Sequence, residues 1–337
     1  MPKQETFLEH LQRRGVSRRS FLKFCAVTAA TLALPARQGK AIAEALAAGP
    51  KPTVIWLSFQ ECTGCTESLT RSFDPTVESL ILDHLSLDYH HTLQAASGAA
   101  AEAARHQAMQ SAYGNYVLVV DGSIPARDGG AWSTIGGISN RQMLQEAAEG
   151  AALVVAMGTC AAFGGLPMAA PNPSDAAGVG ALMRQGLIAE RPLVNVSGCP
   201  PVPEVISGVI AYFLAFGALP ELDALNRPRV YFGKTVHECC SRLPHYQAGN
   251  FAQSFDDDGA RQGHCLFLLG CKGPVTFNAC ATVKWNQGTS FPMHSGHPCL
   301  GCAEPGFWDQ GSFYTMLMAD PALGDGTPCG VPPQPQL

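Results

Sequence analysis

Apolar runs of strand length recur along residues 53–226. Thr53–Phe59 is the first, and Tyr116-Val-Leu-Val-Val120, Leu153-Val-Val-Ala156 and Leu193-Val-Asn-Val196 repeat the type. Short continuous apolar runs, rather than strict alternation, suit strands buried on both faces. Ala-rich helical stretches such as Gly98–Ser111 and Arg141–Glu149 lie between them, and Val205–Phe216 reads as an apolar helix closing the segment. The alternation predicts βαβ units, hence an α/β fold built on a doubly wound, mostly parallel sheet. From about residue 231 the pattern stops. Gly, Pro, Cys, His and aromatic residues dominate and no long periodic segment follows, so this region has little apolar core and is expected to be stapled by bound groups.

The N-terminus has a different pattern. Residues 17–23 read SRRSFLK, and a mildly apolar run of 13 residues follows from Phe24 to Ala36. That length suits the apolar stretch of a signal peptide and is too short to span a bilayer. Ala41-Ile42-Ala43 supplies a small-x-small cleavage pattern. Paired arginines before Phe-Leu-Lys resemble the twin-arginine export signal, an address rather than an anchor. Three segments are therefore expected: a signal peptide at 1–43, an α/β domain at 44–230 and a loop-rich domain at 231–337. About 290 residues after the signal exceed one comfortable core, which also favours two domains.

Charge changes meaning once the signal is set aside. The whole chain has 22 basic and 27 acidic residues, but residues 1–43 hold 8 and 2 of them, leaving 14 and 25. A net charge near −11 disfavours nucleic acid and suits a basic redox partner. Solubility alone would explain the same number.

The chemistry lies in the cysteines. Of the 13 in the chain, ten fall with one histidine into three groups. The first is Cys62-x-x-Cys65 with Cys160 and Cys199; the second is His237-x-x-Cys240 with Cys265 and Cys271; the third is Cys280 with Cys299-x-x-Cys302. An x-x spacer lets two side chains of one tight loop reach the same group, and thiolates are the usual ligands of iron–sulfur clusters. A structural zinc site closes with four ligands, so a group of three argues for clusters. In an exported chain disulfides would be the ordinary reading, but the twin-arginine route carries chains already folded, so these thiols can be loaded in a reducing compartment first. The first group follows three predicted strands, at Glu61–Glu67, Gly158-Thr-Cys160 and Ser197-Gly-Cys199. Open α/β sheets bind ligands there, outside the carboxyl ends of the strands. A flavin phosphate loop at residues 60–66 is the fold-level rival; the cysteines oppose it, and no G-x-G-x-x-G or P-loop occurs. Trp285, Phe291, Phe307 and Trp308 are expected to pack around the third group and keep it dry.

ECTGCTES, GTCAAFGG, GCPP, HxxC, CxxxxxCKGP and GHPCLGCAEPGFWD, in this order and spacing, resemble the small subunit of periplasmic [NiFe] hydrogenases. The match runs from about Pro52 to Trp308. The resemblance implies a flavodoxin-like N-terminal domain and a cluster-binding C-terminal domain. It implies a proximal [4Fe-4S] cluster on Cys62, Cys65, Cys160 and Cys199, and a distal [4Fe-4S] cluster on His237, Cys240, Cys265 and Cys271. A medial [3Fe-4S] cluster would use Cys280, Cys299 and Cys302, with Pro292 where cubane-binding relatives carry a fourth cysteine. The reaction implied is H2 ⇌ 2 H+ + 2 e−, with the nickel–iron centre in a separate large subunit and no catalytic residue in this chain. The left-over cysteines are Cys25, Cys239 and Cys329.

Finer expectations follow from the same resemblance. Gly64 stands where oxygen-tolerant relatives place an extra cysteine, which points to the ordinary oxygen-sensitive type. The tail after Trp308 has no apolar run near 18 residues, so no transmembrane anchor is expected. The acceptor implied is a lysine-rich multihaem cytochrome c in the periplasm. Glu61 and Glu67 flank the proximal ligands and are candidates for proton carriage, partner contact or, for Glu67, helix capping. A hydrogen sensor would share the clusters but lack the export signal; a quinone-reductase subunit would match only the N-terminal half; a disulfide-stapled binding protein is the non-enzyme alternative.

Overall fold

The computed structural model describes residues 51–310 and 312–316 except 74–75 and 82–84, together with positions 22 and 26. Apart from those two positions, the signal at 1–43, its cleavage pattern, Cys25, Cys329 and the tail from 317 lie outside the described residues. A five-stranded sheet is built from β1 (Thr53–Ser58), β2 (Ser86–His90), β3 (Tyr116–Asp121), β4 (Ala151–Met157) and β5 (Leu193–Val196), in the order β2-β1-β3-β4-β5. Every pairing is parallel. This is the doubly wound architecture that the apolar runs predict, in the flavodoxin strand order with its switch point between β1 and β3.

The predicted strands and helices are found within a few residues. The described helices of six or more residues are α1 (Gly64–Thr70), α2 (Gly98–Ser111), α3 (Asn140–Glu149), α4 (Gly158–Phe163), α5 (Val179–Arg184) and α6 (Pro203–Phe216). Strand β2 has no counterpart among the predicted runs. It reads SLDYH and sits at the sheet edge, half-buried along most of its length, so its composition lacks the continuous apolar signal of the central strands.

All six residues of β3 are buried. The period of two along the strands divides the core into two layers. On one face Val54, Trp56, Val117, Val119 and Val155 pack with Val205, Ile206 and Val209 of α6. On the other, Ile55, Leu57, Leu118, Val120 and Val154 pack with Met143 and Leu144 of α3 and Leu182 of α5. The first layer also takes in Tyr231, Phe232, Ala279 and Ala303, so the C-terminal region leans on the core of the sheet domain.

Beyond residue 231 the described elements are turns and helices of three to five residues, such as Leu243–Gln247 and Ala279–Ala281. Its own apolar cluster is small and counts Cys271 and Cys299 among its members, with Cys239, Cys240 and Cys280 against it.

Candidate cofactor sites

The parallel register sets the ends of the strands in one row. Ser58 pairs with Asp121, Asp121 with Met157, and Met157 with Val196. The loops that leave this row carry the first cysteine group. Cys62 and Cys65 follow β1, Cys160 opens α4 directly after β4, and Cys199 follows β5. Sequence distance is cancelled by the sheet. The four thiols act electrostatically on one another: Cys160 and Cys199 on Cys65, Cys62 on Cys160, and both Cys62 and Cys160 on Cys199.

Two glycines make room for these sulfurs. At Gly158 (φ 80°) a Cβ would collide with Cys65 Sγ, and at Gly165 (φ 59°) one would collide with Cys160 Sγ. Both also sit in the left-handed region that favours glycine.

The second group closes around a pocket of about 20 Å³ lined by His237, Cys240, Cys265 and Cys271 together. Burial lowers the His237 pKa, so its imidazole is neutral and has a lone pair to give. Tyr246 meets that ring edge-on at 4.6 Å and leans in turn on Phe251 and Phe267. The third group, Cys280, Cys299 and Cys302, lines a cavity of about 170 Å³ with Pro292 and Trp285. Of the aromatics expected here, Trp285 is in the wall, and Phe291 packs in the same cluster as Cys299. Phe307 and Trp308 instead pair with each other, and Phe307 stacks on Phe313, so ordinary packing accounts for them.

The eleven described cysteines are all free. Burial pushes up the thiols of Cys160 and Cys265 to about 11, those of Cys199 and Cys280 to about 12, and those of Cys65 and Cys299 well above the usual range. Grouped buried thiols of this kind ionise only against a compensating positive charge, which an iron core provides. Among the described residues no three His, Cys, Asp or Glu side chains close on a single metal ion; in the second and third groups they surround a space instead. The donor chemistry fits iron–sulfur clusters.

Comparison with known proteins agrees with this geometry. Residues 232–315 match the family model for the C-terminal part of the NiFe/NiFeSe hydrogenase small subunit. Residues 62–213 match that of the NADH ubiquinone oxidoreductase 20 Kd subunit. The uptake hydrogenase small subunit of Azotobacter vinelandii is 46% identical over 324 residues, covering 96% of this chain and 89% of its own length. This chain belongs to the NiFe hydrogenase small subunits. The hydrogenase-1 small chain of Escherichia coli K12 is 44% identical over 324 residues, covering 96% of this chain and 86% of its own. The reduced, active Ni-Fe-Se hydrogenase of Desulfomicrobium baculatum superimposes with a TM-score of 0.75 at 33% identity, over 80% of this chain and 100% of that one. An actinobacterial-type NiFe-hydrogenase from Ralstonia eutropha gives 0.72 at 27% identity, over 82% and 84%.

As a hydrogenase small subunit, the chain is the electron-transfer half of an oxidoreductase, and nickel belongs to the large subunit with which such chains pair. No helix among the described residues is long and apolar enough to cross a membrane.

Several residues that the sequence patterns did not single out hold the sites of this hydrogenase chain together. Thr159 accepts from the Gly198 amide at 2.9 Å and donates to the Cys302 carbonyl at 2.5 Å, tying the first group to the third. Its only signal is its place between Gly158 and Cys160. Arg227 is buried and donates to Asp223 at 2.8 Å and Glu304 at 2.9 Å, while Glu304 also accepts the Phe277 amide at 2.7 Å. Nothing local marks an arginine for burial. Asp121 ends an apolar strand beside Cys65, and burial, with Glu61 adding to it, raises its carboxyl to about 7. Glu61 accepts from Thr63 Oγ1 at 3.3 Å and is itself raised by burial. Glu67 is exposed and pairs with Arg71 at 2.6 Å; α1 has no side-chain cap.

Proposed function

We propose that this chain relays electrons between a nickel–iron centre in the partner large subunit and an external acceptor through three clusters. A proximal [4Fe-4S] cluster is assigned to Cys62, Cys65, Cys160 and Cys199. A medial [3Fe-4S] cluster is assigned to Cys280, Cys299 and Cys302, and a distal [4Fe-4S] cluster to His237, Cys240, Cys265 and Cys271. When bound, the clusters supply one-electron storage at low potential.

The single observation that carries the reading is that the three groups touch in series. Cys199 and Cys302 line the same cavity, with Thr159 bridging the Gly198 amide and the Cys302 carbonyl, and the Cys271 sulfur accepts a hydrogen bond from the Cys299 amide at 3.3 Å. The first group therefore adjoins the third and the third adjoins the second. Burial around the middle group, where Cys280, Cys299 and Cys302 are enclosed, excludes water from the route. His237 stands at the exit end, where a neutral imidazole in place of a thiolate leaves that cluster less negative.

The proposed organisation is a signal at 1–43, a proximal-cluster domain at 44–230 and a medial and distal cluster domain at 231–337. SRRSFLK supports export to the periplasm by the twin-arginine route, and the acidic mature chain supports a basic multihaem cytochrome c as acceptor. Metal analysis and EPR of the purified native heterodimer test the assignment. About eleven iron atoms in this subunit and an oxidised three-iron signal are expected; a colourless subunit without iron overturns it.

A further inference from the structure

Lys272 is a buried cation with no carboxylate. The residue is 5% exposed, and its ammonium donates to the carbonyls of Gly270 at 2.9 Å, Phe313 at 3.4 Å and Thr315. Among the described residues it forms no ion pair with Asp or Glu. Three neutral carbonyls satisfy its protons but not its charge, and an uncompensated buried ammonium is costly. The groups that act on it electrostatically are the sulfurs of Cys271 and Cys299, which become anionic as cluster ligands and belong to two different ligand sets.

The main chain places it between those sets. The Lys272 amide donates to the Cys299 carbonyl at 2.8 Å, and its own carbonyl accepts from Thr276 Oγ1 at 2.7 Å. Its stem lies over Gly301 of the Cys299-x-x-Cys302 loop, where a Cβ would come 3.4 Å from Lys272 Cβ. The distal ligand Cys271 is its immediate neighbour in sequence. The segment 313–315 then covers the ammonium and closes the shell.

We propose that Lys272 is a positioning residue shared by the medial and distal clusters, its fixed positive charge raising the reduction potential of both. The proposal rests on the ligand assignment above. An electron arriving from the nickel–iron side adds one negative charge and no proton to a cluster, and the ammonium stabilises that charge in a region of low dielectric. The same electron then leaves for the acceptor, so Lys272 sets the level of the relay and takes no part in bond making.

The experiment is an EPR-monitored redox titration of the intact heterodimer carrying Lys272→Met or Lys272→Gln, with iron content measured alongside. The expected result is a full complement of iron and a three-iron signal whose midpoint moves to lower potential, with Lys272→Arg retaining the native midpoint. An unchanged midpoint in the neutral variants overturns the proposal. Where neither neutral variant assembles, restoration of iron by Lys272→Arg supports a charge requirement, and equal failure of Lys272→Arg refutes it, because shape rather than charge then decides. A native complex lacking the three-iron signal refutes the ligand assignment instead, whatever the variants do.

Discussion

The amide of Cys299 donates to the sulfur of Cys271 across 3.3 Å, so the main chain that presents one cysteine group is fastened to a sulfur of the next. Hydrogen bonds to ligand sulfurs shift cluster potentials toward the reduced form. At this junction the link between the proposed medial and distal sites is both mechanical and electrostatic. Moving the loop of residues 299–302 therefore alters both sites.

Pro292 lines the cavity of the three-cysteine group and brings no donor atom to it. Replacing it with cysteine should supply a fourth thiolate and convert the site to a four-iron cluster. The oxidised three-iron EPR signal should disappear and the iron content should rise by about one atom per subunit. Persistence of the native signal in Pro292→Cys would show that this wall does not face the cluster.

His237 sits with Cys240, Cys265 and Cys271 around the second pocket. Substitution by glycine should open a coordination position and slow electron delivery to an external acceptor by at least tenfold, about 1.4 kcal/mol in barrier terms. H/D exchange at the large subunit should survive. Loss of both activities together would mean that the variant had lost its fold or its partner.

Arg227 is 3% exposed and joins Asp223 to Glu304 while its guanidinium lies over Phe232 at 5.4 Å and Phe277 at 5.8 Å. Arg227→Met keeps the stem but leaves the half-buried Glu304 without its cation. A destabilisation of about 3–5 kcal/mol is expected for breaking a buried pair from one side. Thermal scans of the purified complex at one fixed heating rate should register it as a lower transition. Double replacement with Glu304→Gln should recover part of the loss, and no recovery would mean that the pair is not what the arginine stabilises.

His90 is fully buried beside Trp56, with ring centroids 5.0 Å apart, and burial with a further contribution from His91 lowers its pKa from 6.5 to about 4. The unfolded chain takes up a proton below about 6.5 that the folded site refuses until about 4. Stability should thus fall as pH drops through this window, by on the order of 1 kcal/mol at about pH 5.5, and not change on this account above pH 7. His90→Gln should flatten the acid limb. Identical slopes for the two proteins between about pH 7 and 5.5 would assign the limb to other groups.

Much of the fold was legible because it is written locally. Strands buried on both faces demand continuous apolar runs, so β1, β3, β4 and β5 stand out of the sequence, whereas the edge strand β2, with Asp88 and His90 in SLDYH, does not. The x-x spacing of Cys62 and Cys65, of His237 and Cys240, and of Cys299 and Cys302 is equally local, since one loop presents both side chains.

The sequence by itself determined the alternation of strands and helices, the cysteine inventory and the change of character near residue 231. Only the tertiary structure decided that cysteines 95 and 39 residues apart leave one aligned row of strand ends, that Cys199 adjoins Cys302 and that Cys299 adjoins Cys271. It also decided that Arg227 and Lys272 are buried, and that Phe307 and Trp308 pack on each other. The reason is physical. Propensity and spacing act over a few residues and are carried by residue type, whereas burial, charge compensation and the order of three sites depend on which distant segments the sheet brings together.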